Sequence, residues 1–269
     1  MLIMLRLLWR IPMLLLLLLV SFLAMLLVNP LGSRVRCGQH RLSQHAVRAW
    51  ARLFAFTFAL RIQRIQHAGA NWPGIHALLV ANHQSWQDII VLLSIEPMRF
   101  VAKREIRDWP VFGAMVAAAG TVFIRRGDMQ STDQVRDSMH DALQASSNVA
   151  IFPEGGVPTS PGVARFHARL FAPAIDAMLP IQPLCLRYLI NGRASQRSRF
   201  RQRESFTASL VRLLAAPPQT VQVHVLPTLM PQHDRQRKAV ARQAEEMIRQ
   251  CYQPESDRAS QPSPQASVV

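Results

Sequence analysis

Apolar positions follow three different rhythms along this chain. From Ile11 to Val28 there are 18 residues without a charge, including the unbroken run Leu14 to Leu19. At about 1.5 Å per residue that is about 27 Å of helix, enough to cross a hydrocarbon core. Pro12 falls in the first turn, where its missing N–H costs nothing. From His45 to Ile62, Trp50, Leu53, Phe54, Phe56, Phe58 and Leu60 are interleaved with Arg48, Arg52 and Arg61. Arg48 and Arg52 share a helical face, and arginine mixed with aromatics predicts an amphipathic helix lying in the headgroup layer. A domain helix with a solvated basic stripe is the plainer alternative. From Gln66 to Tyr252 short β-type runs alternate with helical patterns. Strands are predicted at Ala77–Ala81, Met98–Ala102, Thr121–Ile124, Asn148–Phe152, Leu184–Leu189 and Val221–Leu226. Helices are predicted near Asp88–Ser94, Trp109–Ala118, Asp128–Ser146, Arg165–Met178, Ser205–Leu214 and Asp234–Cys251. Such alternation predicts an α/β domain, a layered sheet with flanking helices. After Gln253 Pro, Ser and Gln dominate, which predicts a disordered tail. The chain therefore divides into a membrane anchor over 1–65 (transmembrane helix 11–28, amphipathic helix 45–62), a folded domain over 66–252 and a tail over 253–269.

Composition sharpens this in three respects. Hydrophobic residues make up 49% of the 269 positions, too many for a disordered or purely nucleic-acid-binding chain. Lys and Arg number 31 against 16 Asp and Glu, a net charge of +15, and only Lys103 and Lys238 are lysines. Arg187, Arg193, Arg197, Arg199, Arg201 and Arg203 fall close together with no acid among them. No nucleic-acid motif accompanies this charge, so attraction to anionic lipid or an acidic carrier protein accounts for it better. The three cysteines, Cys37, Cys185 and Cys251, form no C-x-x-C and no even set, which argues against structural zinc and disulfides and for a reducing compartment. Arg6 and Arg10 precede the apolar run; Arg34, Arg36, Arg41 and Arg48 follow it. That bias predicts an inner-membrane protein with its main domain on the cytoplasmic side. A cleaved signal peptide would have a shorter apolar stretch and a small-residue site, whereas Asn29-Pro30 follows here.

The chemistry concentrates in four places. Asn82-His83-Gln84-Ser85-Trp86-Gln87-Asp88 joins a strand to a helix, and Ser85 with Asp88 has the spacing of a capping box. With Ser85 as N-cap, a loop histidine and a first-turn aspartate can meet. The carboxylate would then fix the imidazole tautomer and leave the other ring nitrogen as a base. Gly120-Thr-Val-Phe-Ile-Arg125-Arg126 ends a strand in two guanidinium groups, and in α/β sheets ligands gather at the carboxyl ends of strands. Phe152-Pro153-Glu154-Gly155-Gly156 is a sharp turn whose open amides suit a phosphate or an oxyanion. Lys103 closes another strand.

In order and spacing these blocks resemble the glycerolipid acyltransferase superfamily, the 1-acylglycerol-3-phosphate and lysophospholipid acyltransferases with their H-x4-D motif. The matching blocks are Asn82-His83…Asp88, Gly120…Phe123-Ile124-Arg125, Phe152-Pro153-Glu154-Gly155 and Leu179-Pro180-Ile181-Gln182-Pro183. Val101-Ala-Lys103…Trp109-Pro110-Val-Phe-Gly113 resembles the family's segment between the first two. The resemblance spans about residues 70–230. It implies that His83 is the catalytic base and Asp88 its orienting carboxylate. It also implies that Arg125, Glu154, Gly155 and Gly156, with Lys103, bind the acceptor's head group. The implied reaction moves a fatty acyl chain from acyl-ACP or acyl-CoA to the free hydroxyl of a lysolipid, with no resident cofactor or metal. A neutral imidazole deprotonates the attacking hydroxyl directly.

Two departures bear on the acceptor. Gly156 stands where the family usually has Thr or Ser, with Thr159 three residues on. Arg165-Phe166-His167-Ala168-Arg169 stands where it has P-F-K-x-G. The first acceptor expected is 1-acyl-sn-glycerol-3-phosphate, giving phosphatidic acid, with a lyso-ornithine lipid as the alternative. A non-catalytic membrane lipid-binding protein on the same scaffold is the alternative of another class. It would have no need of His83 and Asp88 at this spacing. A hydrolase would need a G-x-S-x-G elbow or an H-E-x-x-H cluster, and neither is present.

Overall fold

The computed structural model describes residues 2–32, 36–37, 40–74, 76–108, 113, 117, 120–124, 133–144, 148–158, 160, 162–201, 203–232, 237–252 and 265–268. All six strands expected from the apolar runs are present: β4 (Leu78–Ala81), β5 (Arg99–Lys103), β6 (Val122–Ile124), β7 (Val149–Ile151), β8 (Ile181–Ile190) and β10 (Gln219–Val225). Short strands β1 (Arg36–Cys37) and β2 (His40–Arg41) pair with each other near the N-terminus. Among the described residues the main sheet runs β11-β3-β10-β8-β4-β7-β5-β6, where β3 is Leu60–Gln66 and β11 is Gln265–Val268; β9 (Arg193–Ala194) hangs on β8. The five strands β8, β4, β7, β5 and β6 are parallel. β10 pairs antiparallel with β8 and parallel with β3, so the sheet is mixed.

Period-two alternation divides the core. Leu79 and Ala81 of β4, with Leu184, Leu186 and Tyr188 of β8, face the helices α2 (Leu42–Thr57), α3 (Gln87–Ile95) and α6 (Phe206–Leu214). Leu78, Val80, Ile181 and Cys185 face α4 (Asp133–Gln144), α5 (Ala172–Asp176) and α7 (Arg237–Tyr252) on the other side. This is the expected α/β architecture of a layered sheet with flanking helices.

The N-terminal region differs from expectation in an instructive way. α1 spans Leu2–Gly32, longer than the uncharged run, and Leu2–Ser21 is long and apolar enough to cross a membrane. Among its described side chains most apolar ones are exposed, but Leu14 and Leu17 are buried. Arg10 is buried too, and donates to the carbonyls of Leu214 at 2.7 Å and Ala216 at 2.8 Å. A cation therefore closes the C-terminal end of α6, where helix carbonyls lack partners.

The amphipathic helix expected over 45–62 is instead a domain helix that stops at Thr57. Ala51, Phe54, Ala55 and Phe58 are buried. The Arg52 Nε donates to the Ser94 carbonyl in the last turn of α3 at 3.0 Å. Leu60 and Ile62 then alternate with exposed Arg61 into one face of the sheet as β3, and Ile65 is buried on the other. The boundary expected after residue 65 thus falls inside a strand. Arg61, which looked like part of a continuing basic stripe, is the exposed position between Leu60 and Ile62 on that strand. Leu53 and Phe56 remain exposed on the face of α2 turned away from the sheet.

Three smaller expectations are also revised. The helix expected over Arg165–Met178 is a 3-10 turn, Ala168–Phe171, followed by α5, because Pro173 restarts the helix. Of the tail expected to be disordered, Gln265–Val268 pairs antiparallel with β3, its Ala-Ser-Val stretch being free of proline. The expected helix Trp109–Ala118 lies largely outside the described residues.

Candidate active site

The site forms where β4 ends and α3 begins. Asn82 is fully buried and doubly bonded to β8: its Nδ2 donates to the Leu186 carbonyl at 3.1 Å, and its Oδ1 accepts the Leu186 N–H at 2.7 Å. Gln84 Nε2 donates to the same carbonyl. The loop is therefore fixed on both sides of His83. Trp86 is anchored behind it, edge-on to Phe54, Phe58 and Phe206.

Asp88 is completely buried and meets His83 as the spacing suggested, Nδ1 lying 2.8 Å from Oδ2. The same oxygen accepts the Gln84 N–H at 2.6 Å and the Ser85 N–H at 2.9 Å. The second oxygen accepts from the Tyr188 hydroxyl at 2.7 Å. The capping is not the box expected: Trp86 is the N-cap of α3, and Ser85 Oγ accepts from Gln87 N at 3.2 Å. Asp88 still reaches back to the loop amides, which serves the histidine as well as the helix. Burial first, and the Asp88 carboxylate second, push the Tyr188 hydroxyl well above the usual phenol range. It therefore remains a proton donor to Asp88.

With Nδ1 engaged on the carboxylate, Nε2 is the ring's acceptor nitrogen. The ring stacks on Phe152, centroids 4.1 Å apart and 13° between planes. Ser85, the one hydroxyl in the motif, is fully buried and bonded to the loop, so it has no access as a nucleophile.

The Phe152-Pro153-Glu154-Gly155 turn braces this arrangement. Gly155 donates to the Phe152 carbonyl at 3.1 Å with φ of 76°, a left-handed conformation that favours glycine. Glu154 Oε1 accepts the His83 N–H at 2.7 Å and Oε2 accepts the Ala164 N–H at 2.8 Å. Both carboxylate oxygens thus hold backbone. Burial raises the Glu154 carboxyl above its ordinary range, and the two amides only partly offset this. Gly156 follows, half-buried, in the same turn. Arg199, read from sequence as part of a basic surface, is buried and holds the loop beyond. Its guanidinium donates to the carbonyls of Pro158, Ser160 and Gly162 at 3.1, 2.8 and 3.1 Å. Arg187 is buried as well, whereas Arg193, Arg197, Arg201 and Arg203 are exposed. The backbone of Lys103 ends β5 beside Ile124 of β6. Arg125 lies outside the described residues, as do Arg126 and Thr159.

Sequence reasoning missed Tyr188. Its signal is one of two tyrosines in the chain, placed inside an apolar strand, where a buried hydroxyl needs a partner.

A histidine aimed by a buried carboxylate at the carboxyl end of a parallel strand is equipped to take a proton from a hydroxyl. The acyltransferase family profile matches residues 62–187. A lyso-ornithine lipid O-acyltransferase from Pseudomonas aeruginosa is 33% identical over 210 residues, 77% of this chain and 78% of that one. A 1-acyl-sn-glycerol-3-phosphate acyltransferase from Neisseria gonorrhoeae is 40% identical over 111 residues, 41% of this chain and 44% of its own. Among solved structures, the 1-acyl-sn-glycerophosphate acyltransferase of Thermotoga maritima shares the fold, with a TM-score of 0.61 at 16% identity. That likeness covers 93% of this chain and 98% of that one. The chain belongs to the glycerolipid acyltransferase family and is an O-acyltransferase, which sets aside the non-catalytic lipid-binding alternative.

Proposed function

We propose that the enzyme transfers an acyl group directly from a thioester to the free hydroxyl of a lysolipid, with His83 as general base. The observation that carries this is the 2.8 Å contact between His83 Nδ1 and the buried Asp88 carboxylate. Nε2 takes the proton of the acceptor hydroxyl as its oxygen attacks the thioester carbonyl. The resulting imidazolium is stabilised by Asp88, and its proton passes to the departing thiolate as the C–S bond breaks. Tyr188 and the two loop amides keep the carboxylate in place, so only the histidine moves a proton. Because hydroxyl and thioester must meet in line, much of the rate comes from positioning.

For the acceptor, a lyso-ornithine lipid is the reading we favour. A relative so named aligns over most of both chains, and Arg165-Phe166-His167-Ala168-Arg169 departs from the P-F-K-x-G of phosphate-headed acceptors. Glu154, with both oxygens on backbone amides, serves as a brace for His83 rather than a head-group ligand. Arg125, Gly155, Gly156 and Lys103 remain the head-group candidates that the family motif supplies. The 40% identity to the Neisseria gonorrhoeae relative supports 1-acyl-sn-glycerol-3-phosphate as the second reading. The donor is an acyl-ACP or acyl-CoA thioester, and the exposed Arg193, Arg197, Arg201 and Arg203 suit such acidic partners. α1 embeds in the inner membrane, with the domain on its cytoplasmic side.

The test is acyl transfer by purified membranes, with both donors, against a panel of lysolipids. Preferential acylation of lyso-ornithine lipid supports the first acceptor. Preference for 1-acyl-sn-glycerol-3-phosphate replaces it with the second. Transfer undiminished in His83→Ala would refute the mechanism for either.

A further inference from the structure

On the face of the sheet opposite Tyr188, four residues with no part in acyl transfer converge. Cys185 alternates with Leu184 and Leu186 along β8 and packs on the α7 side. His224 is its cross-strand partner on β10. His67 follows β3 directly, its N–H donating to the Val225 carbonyl at 3.1 Å. Cys251 lies in the last turn of α7. His67 Nε2 is 3.0 Å from His224 Nδ1 and 4.0 Å from Cys251 Sγ. The ligand atoms of these three residues all lie within 4.8 Å of one another, and Cys185 sits across from His224 on the same face of the sheet.

We propose that His67, Cys185, His224 and Cys251 form a tetrahedral Cys2His2 site for a zinc ion. Two imidazoles and two thiols are the donor set of closed structural zinc sites, with bonds of about 2.0–2.1 Å to nitrogen and about 2.3 Å to sulfur. A tetrahedron with those bonds has edges of about 3.3 Å between nitrogens and about 3.6 Å between nitrogen and sulfur. The separations of 3.0 and 4.0 Å lie on either side of these values, so small rotations of His67, His224 and Cys251 suffice, with Cys185 completing the set from the neighbouring strand position.

Two further features fit the metal. His224 Nε2 lies 3.3 Å from Gln222 Oε1, which accepts its proton and leaves the Nδ1 lone pair facing the cluster. Such an outer partner fixes the tautomer of a metal-bound histidine. Charge also balances: two thiolates neutralise a divalent cation, so Cys185, His224 and Cys251 can be buried without an unpaired charge.

With four protein ligands the site has no open position, so its role is structural. It would fasten the end of α7 to β3, β8 and β10 behind the catalytic loop. Tyr252, next to Cys251, donates its hydroxyl to Gln84 Oε1 at 3.3 Å, and Leu186, next to Cys185, holds Asn82 and Gln84. The sequence conceals this because the four ligands come from four elements and no two lie at motif spacing.

The full chain in detergent, equilibrated with zinc and dialysed, is assayed for bound metal by mass spectrometry. About one zinc per chain is expected for a closed site. Cys251→Ser and His224→Ala are expected to lose it, and His83→Ala to retain it. Cobalt exchanged into the wild-type protein gives a result that does not depend on those variants folding. Intense visible d–d bands with a thiolate-to-cobalt charge-transfer band are expected, and the weak spectrum of octahedral cobalt overturns the proposal. Substoichiometric zinc in the wild type, undiminished zinc in folded Cys251→Ser, or a Cys185–Cys251 disulfide in the freshly purified chain overturns it equally.

Discussion

Asp88 takes four hydrogen bonds: one from the imidazole, two from loop amides and one from a phenol. Each donor to a charged acceptor contributes about 1.5–3 kcal/mol, and a buried carboxylate stripped of one is left unsatisfied. His83→Ala removes the proposed base without removing that framework. Turnover should fall by about 10²–10⁴-fold while circular dichroism and membrane attachment stay as in the wild type. Tyr188→Phe is a subtler probe. With the phenol gone, one oxygen of the buried carboxylate loses its donor and Asp88 is free to shift, so kcat should fall while the acceptor's KM stays near wild type, as steady-state kinetics will show. Glu154 makes a separate statement about stability. Its carboxyl is raised by burial, so the folded chain binds that proton more readily than the unfolded chain. Stability from this group is thus fully present below the ordinary glutamate range and is lost as pH rises through the raised folded value. In Glu154→Gln that decline should be missing from denaturant midpoints measured across the weakly acid range. Turnover should fall on the order of tenfold, because an amide side chain cannot accept from both His83 and Ala164.

At the scale of elements, the strands were legible because buried parallel strands are short continuous apolar runs, and Ala77–Ala81 or Asn148–Phe152 can be little else. The His83–Asp88 pair was legible for a local reason: five residues of chain hold both partners. What failed was any inference that depended on which neighbour an arginine would find. Arg10, Arg52 and Arg199 all end on backbone carbonyls of other elements, and composition alone made them look like lipid-facing charge. β3 was missed because Leu60, Arg61 and Ile62 extended the mixed arginine and apolar rhythm of α2. The two faces of α2 can now be separated by experiment. Phe58→Ala, in the stack with Phe54 and Trp86, should cost about 3–5 kcal/mol by urea unfolding. Leu53→Ser with Phe56→Ser should leave that midpoint unchanged and weaken liposome binding of the detergent-free protein, since both side chains are exposed.

At the scale of the whole molecule, the apolar helix and the acyl-transfer domain are mechanically joined. Arg10→Ala leaves the uncharged run of α1 intact, so the variant should remain with membranes in flotation. It should lose activity on lysolipid in bilayers by more than on the same lysolipid in detergent micelles, as the domain is freed to tilt. Equal activity loss in the two presentations would show that Arg10 supports only the fold of α6. A flexible tether would let the domain sample many heights above the lipid. A strut clamped at the Leu214 and Ala216 carbonyls does not. The proposed base, His83 Nε2, then sits at one fixed elevation, and an acceptor is chosen partly by how deep its hydroxyl lies. Two lysolipids with identical head groups but hydroxyls a few ångströms apart along the bilayer normal would be told apart by altitude alone.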